Sequence, residues 1–90
     1  LKKIINIEVG KLVNRLKDKN YKVSFDKTVI SRIFELNVQE EYGARPIKRI
    51  IQNLCEDFLS EEILKGNIIE DQQFILKYKD EKLNIVKKML

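Results

Sequence analysis

From Ile47 onward the apolar positions Ile47, Ile50, Ile51, Leu54, Cys55, Phe58, Leu59 and Ile63 recur at steps of three and four that place them on one helical face. The spacing predicts one long helix that opens near Pro46, a position proline tolerates well in a first turn, and stops at Gly66 after Lys65. At about 1.5 Å per residue its roughly twenty residues reach close to 30 Å, enough to cross a small domain. Residues 1–19 repeat the pattern, with Leu1, Ile4, Ile5, Val9, Leu12, Val13 and Leu16 as the apolar face, Lys and Arg between them, and Asn20 as the stop. The stretch Tyr21-Lys22-Val23-Ser24-Phe25 alternates strictly and reads as a short strand with Tyr21, Val23 and Phe25 facing a core. Asp26 can then cap a second helix over about 27–37, whose apolar face is Val29, Ile30, Ile33 and Phe34. After the long helix, residues 73–79 and 82–86 read as two strands joined by a hairpin turn at Asp80-Glu81. The order helix, strand, helix, long helix, strand, strand defines an α+β fold, three main helices with a small three-stranded sheet.

Ninety residues, 43% hydrophobic and 36% charged, make a single domain spanning 1–90 with a modest core. A domain of this size buries only about 60–65% of its unfolded surface, so a neighbour to lean on would stabilise it. The net charge of +4 is unevenly spread: six bases against Glu8 and Asp18 in residues 1–20, and five lysines against Asp80 and Glu81 in residues 77–90. Basic ends suit nucleic acid or an acidic surface. Fourteen of the 18 bases are lysines scattered singly, which favours a solvated surface.

Cys55 is the one cysteine and histidine is absent, which excludes an internal disulfide, a zinc cluster and any catalytic dyad or triad that needs imidazole. Cys55 falls on the apolar stripe and reads as a small buried hydrophobe. No signal peptide and no membrane-spanning apolar run is present in these residues, so a reducing, soluble compartment is expected. The chain opens at Leu1 and has a single methionine, Met89, which suggests a piece of a longer protein. Three glycines, at 10, 43 and 66, cannot build a Walker or Rossmann phosphate turn or a Gly-x-x-Gly RNA loop. The acidic pairs Glu40-Glu41, Glu56-Asp57 and Glu61-Glu62 splay apart on a helix and do not converge on one substrate atom.

One run does call for chemistry. Glu41-Tyr42-Gly43-Ala44-Arg45-Pro46-Ile47-Lys48-Arg49 puts two arginines and a lysine in the opening turns of the long helix. That end already carries about half a positive charge, so cations there are unfavourable without an anionic partner. Phosphate is the first candidate, since free N–H groups at a helix start favour it too. Arg45 and Arg49, four residues apart, lie about 40° from each other on the helical wheel, flanked by Lys48 and Gln52. The stripe around Ile47, Ile50 and Leu54 lies opposite, so the cationic face should look away from the domain's own core. The plain structural alternative is a solvated face paired locally with Glu40, Glu41 or Glu56.

The segment Tyr42-Gly43-Ala44-Arg45-Pro46-Ile47-Lys48-Arg49 resembles the second-sensor motif of the Clp ATPases, hexameric AAA+ unfoldases and disaggregases of the ClpB and ClpC type, in which it reads Tyr-Gly-Ala-Arg-Pro-Leu-(Arg/Lys)-Arg. The resemblance covers nearly the whole chain, as the C-terminal small (lid) domain. It includes the helix over 1–19, the Phe25-Asp26 entry to the next helix and the Ile63-Leu64-Lys65-Gly66 end of the long helix. Two departures stand out. No glycine occurs in Leu36-Asn37-Val38-Gln39-Glu40-Glu41, where the family usually has a Gly-(Tyr/Phe)-Asp stretch, and Phe58 stands where it often has proline. With Phe58 the long helix is expected to continue unbroken.

The resemblance implies that Arg45 senses the nucleotide phosphates, that Gly43 and Ala44 form the turn that aims it, and that Arg49 supports the motif. It implies ATP as cofactor, held as Mg-ATP mainly by a preceding large domain, and no ATPase activity in this fragment alone. The implied partners are that large domain, the neighbouring subunits of a homo-hexamer, protein substrates of the parent and, in one branch, a Clp-type protease; nucleic acid and membrane are not expected. The implied location is a bacterial cytosol or an organelle of bacterial ancestry, such as a plastid or mitochondrion. Two other readings stay open at this point: a protein–protein adaptor or oligomerisation domain, and a basic nucleic-acid-binding module.

Overall fold

The first helix, α1 (Lys2–Asp18), turns Ile5, Val9 and Leu12 inward and packs against the strand, the second helix and the start of the long helix. The computed structural model describes residues 2–39 and 47–88. Asn20, with φ 69°, ends the helix in the left-handed region that Asn tolerates, and the Tyr21 N–H reaches back to the Leu16 carbonyl at 2.9 Å. The structure corrects the expected apolar face at one position. Ile4 is 51% exposed beside Ile7, because the buried row follows Ile5, Val9 and Leu12 and leaves the flanking turn outside.

Strand β1 (Lys22–Phe25) leads into helix α2 (Lys27–Gln39) through Asp26, as the sequence predicts. The Asp26 carboxylate accepts the Thr28 N–H at 3.2 Å and the Thr28 hydroxyl at 2.7 Å, which satisfies one of the orphan donors of the helix start. Thr28 in turn accepts the Tyr78 N–H at 3.0 Å, so one cap ties α2 to the sheet. Val29 and Ile33 are fully buried, with Ile30 and Phe34 packed at the margin.

The long helix runs from 47 to 65 without a break, as expected from Phe58, but it is not regular. An α segment, α3 (Ile47–Ile51), passes into one turn of π-helix over Gln52–Glu56 and returns to α in α4 (Asp57–Lys65). The buried residues Ile47, Ile51, Cys55 and Leu59 explain the wide turn. Steps of four drift by about 40° each at 100° per residue, so three steps would carry Leu59 about 120° off the core. A single i→i+5 turn absorbs one residue and realigns the row. Gly66, at φ 82°, closes the helix in the left-handed region. Its N–H and that of Asn67 bond back to the last carbonyls, so the predicted stop holds.

The sheet has the order β1-β2-β3. β2 (Gln73–Lys79) pairs parallel with β1, matching Val23 to Phe74 and Phe25 to Leu76, and antiparallel with β3 (Lys82–Lys87), matching Leu76 to Ile85. The predicted hairpin turn at Asp80-Glu81 is present, with both residues at positive φ (54° and 62°). Val23, Phe74 and Leu76 face the helices and complete a core with Ile68 from the connecting loop. Cys55 is fully buried in that core as a free thiol, and burial pushes its pKa up to about 12. Tyr21 and Phe25, expected to face a core, are half-buried at its edge.

Candidate functional site

The described part of the motif begins at Ile47, whose side chain is buried, as is that of Ile51 one turn on. Lys48 and Arg49, between them, are exposed, so the cationic face looks away from the core as the wheel requires. Arg45, Gly43 and Ala44, the sequence-predicted sensor and its turn, lie outside the described residues, together with Glu40, Glu41, Tyr42 and Pro46. Arg49 makes no ion pair among the described residues.

Lys48 does find an acid, though not one the motif supplies. Its Nζ lies 3.9 Å from Glu8 on α1, and Lys11 holds the other side of the same carboxylate at 3.0 Å. The Glu8 side chain is only 10% exposed, so it is screened less than a surface acid and does more to fix its neighbours. Glu56, expected as a local partner of the basic face, instead pairs with Arg15 on α1 at 3.5 Å. Both cross-helix pairs therefore come from α1, and they run in the same direction along both helices.

Between the two pairs lies an open groove of about 590 Å³, whose polar lining includes Glu8, Lys11, Asn14, Arg15, Lys48 and Gln52. Counting Glu56 as well, its charged lining is three cations and two carboxylates, so one positive charge is left over at the start of the long helix. Among the described residues, an anion approaching that end meets exposed Lys48 and Arg49, with Glu8 already held by Lys11 and Lys48. Such a site can attract and orient a phosphate or carboxylate. Its two carboxylates, Glu8 and Glu56, are each held by a cation, and among the described residues no group of three potential metal ligands forms. No helix among the described residues is long and apolar enough to cross a membrane.

Sequence reasoning missed the α1 contribution. A signal was available, because Glu8, Lys11 and Arg15 stand at steps of three and four and so form one polar stripe along the helix. Nothing local, however, indicates that this stripe faces the long helix.

The fold and its exposed basic helix start define a small α+β domain that presents cations from the first described turn of its longest helix. The chain belongs to the ClpB D2-small family, described as the C-terminal, D2-small domain of ClpB protein, whose model matches residues 1–76. It is 42% identical over 86 residues to the chaperone protein ClpB of Malacoplasma penetrans, covering 96% of this chain and 12% of that protein. It is 38% identical over 80 residues to the negative regulator of genetic competence ClpC/MecB of Bacillus subtilis, covering 89% of this chain and 10% of that one. With the ATP-dependent Clp protease ATP-binding subunit ClpC of Staphylococcus saprophyticus it shares 44% identity over 73 residues, 81% of this chain and 9% of the relative. The chain thus spans about a tenth of the length of these relatives.

Proposed function

We propose that this chain, residues 1–90, is the C-terminal lid of a Clp-type ATPase and that it contributes the second-sensor arginine, Arg45, to nucleotide binding and hydrolysis in the parent protein. The observation that carries the reading is the exposed, outward-turned pair Lys48 and Arg49 on a helix whose opposite side, Ile47 and Ile51, is locked into the core. The helix is thereby fixed in rotation, and cations placed at its start have a defined aim. A helix start this basic is stabilised when an anion docks on it.

In this reading the nucleotide supplies the phosphoanhydride, and a preceding large domain holds it as Mg-ATP. This chain supplies positive charge from one side. Arg45 suits the sensing role because a guanidinium stays charged at any accessible pH and can bridge two phosphate oxygens. Gly43 and Ala44 form the tight turn that carries it. Arg49, one helical turn later and without an acid partner among the described residues, adds to the local potential and supports the motif. Loss of the γ-phosphate weakens the hold on the lid and lets it rotate against the large domain, which passes hydrolysis on to the neighbouring subunits of a hexamer. The relatives named as chaperones and as the ATP-binding subunit of a Clp protease, all bacterial, support ATP-driven work on proteins.

The test is ATP turnover by the parent protein with Arg45 intact and with Arg45→Ala. A fall of roughly 100- to 1,000-fold with the hexamer preserved is expected, the scale on which single charge-stabilising groups act in water-excluded sites. Unchanged turnover would remove the sensor assignment and leave the adaptor reading, in which Arg45 and Arg49 meet acids on a protein partner.

A further inference from the structure

At the end of the sheet remote from the Asp80-Glu81 turn, three lysines from three separate segments border one cavity of about 430 Å³: Lys17 on α1, Lys22 on β1 and Lys88 just after β3. The strand register brings two of them together. Lys22 pairs with Gln73, and the Lys88 N–H donates to the Gln73 carbonyl at 2.8 Å, so the two lysines flank Gln73 in one row across the three strands. Neighbouring strands lie about 4.8 Å apart, which sets these two backbones about 10 Å from each other, a gap that two four-carbon stems can span from either side. Lys17 enters from α1, one helical turn after Val13, which lines the same cavity.

No carboxylate lines this cavity. The groove between α1 and the long helix differs in that respect, because Glu8 and Glu56 there offset most of the cations. Lys17, Lys22 and Lys88 are exposed, and none lies within ion-pair distance of an acid among the described residues. Three like charges gathered on one cavity raise its potential and favour a counter-anion. Beneath them the lining turns apolar: Val23 and Phe74 belong to the core, and Val13 and Tyr21 pack half-buried at its edge. Ser24 adds a neutral hydroxyl, whose bond to the Phe74 carbonyl is long at 3.4 Å and can yield to an incoming oxygen. The volume falls in the range of sites for small molecules.

We propose that this cavity binds a small phosphate monoester with an apolar or aromatic body, its phosphate held between Lys17, Lys22 and Lys88 and its body laid on Val13, Tyr21 and Phe74. A phosphate monoester carries a charge of about −1.5 to −2 and three acceptor oxygens, so it offsets more of the three lysines than a carboxylate can and offers each an oxygen. A nucleic-acid strand fits less well. It carries one charge per phosphate along its length and calls for a track of cations, whereas these three surround one point. The lysines are exposed, so binding is weak and sensitive to salt. The cavity draws on α1 and the sheet alone and does not depend on the nucleotide role of Arg45.

The experiment is an amide NMR titration of the 90-residue chain with phenyl phosphate, beside inorganic phosphate and phenol. The amides of Lys17, Lys22, Ser24, Gln73 and Lys88 are expected to shift together. Phenyl phosphate should bind at least about tenfold tighter than inorganic phosphate, the factor that each 1.4 kcal/mol of ring burial supplies, and phenol should leave these amides unmoved. Lys17→Gln and Lys22→Gln should each weaken phenyl phosphate about two- to fivefold, the scale of one exposed ion pair. Ser24→Glu, at an exposed position, should abolish binding by setting a carboxylate among the lysines, while Lys79→Gln at the far end of the sheet should change nothing. Equal binding of the two phosphates, shifts centred on Lys48 and Arg49, or binding that survives Ser24→Glu would overturn the proposal. So would uptake of oligothymidylate that tightens with its length. A phosphotyrosine peptide should bind no tighter than phenyl phosphate; tighter binding would transfer the site to a phosphorylated protein and overturn the small-molecule assignment.

Discussion

The Arg15 guanidinium on α1 lies 3.5 Å from the Glu56 carboxylate, while Glu8, seven residues earlier on α1, takes Lys48, eight residues earlier on the long helix. Seven residues of α-helix make about two turns, and eight would overshoot by roughly 80°. The wide turn over Gln52–Glu56 removes the excess, and both pairs can form together.

The wide turn thus holds one residue more than the packing needs. Deleting Asn53, which is exposed, should convert it to regular α-helix, keep both ion pairs and leave the midpoint of thermal unfolding within a few degrees. Deleting Asn14, equally exposed but in a regular stretch of α1, should rotate Ile5 and Val9 against Leu16 by about 100° and unfold the domain. Thermal melts of the two deletions, followed by circular dichroism, check the contrast.

The hairpin turn offers a gain in stability. Asp80 and Glu81 both sit at positive φ, where a glutamate is strained and glycine is not. Glu81→Gly should stabilise the domain by up to about 1 kcal/mol, read as a higher denaturant midpoint with an unchanged slope.

Asp26 makes stability sensitive to acid. The Thr28 hydroxyl bond, ahead of the Thr28 N–H bond, holds its carboxyl below the usual range. A lowered folded-state pKa contributes stability above the unfolded value of about 3.9, and that contribution is lost as pH falls through the folded value. Asp26→Asn should flatten the decline in melting temperature below about pH 4, and Thr28→Val should do the same while also loosening the tie to Tyr78.

Cys55 acts at the other end of the scale. Its thiol is raised to about 12 in the folded state, against about 8.5 unfolded, so the unfolded chain ionises first. Its contribution is complete below about pH 8.5 and declines as pH rises towards 12. Cys55→Ala should reduce that alkaline loss, at the cost of a small cavity, and the thiol should react with a disulfide reagent at the rate of unfolding.

Most of the architecture was legible because its signals are local. The Asp26 cap, the Gly66 stop, the Asp80-Glu81 turn and the burial of Cys55 each follow from a residue and its near neighbours. What stayed hidden depends on partners distant in sequence. The wide turn answers a conflict between a four-residue burial step and the helical repeat, and that conflict is settled only by the core it packs on. Ile4 looks as apolar as Ile5, and the neighbouring helices decide which of them is covered. At the site, the cationic face of Lys48 and Arg49 could be read from the wheel, whereas its acid, Glu8, lies forty residues away on another helix.

The parallel pairing of β1 with β2 joins Lys22 to Gln73, so the intervening segment, motif and long helix included, forms one loop about fifty residues long, closed by sheet hydrogen bonds. Closing a loop of that length carries a large entropy cost before the contacts that reward it exist. The β2–β3 hairpin can form early and alone, and until β1 docks it leaves the inner edge of β2 open for pairing with another chain. Docking of β1 is therefore expected to be the slowest pairing of the sheet, and the β2 edge it covers is the edge most open to pairing with another chain while uncovered.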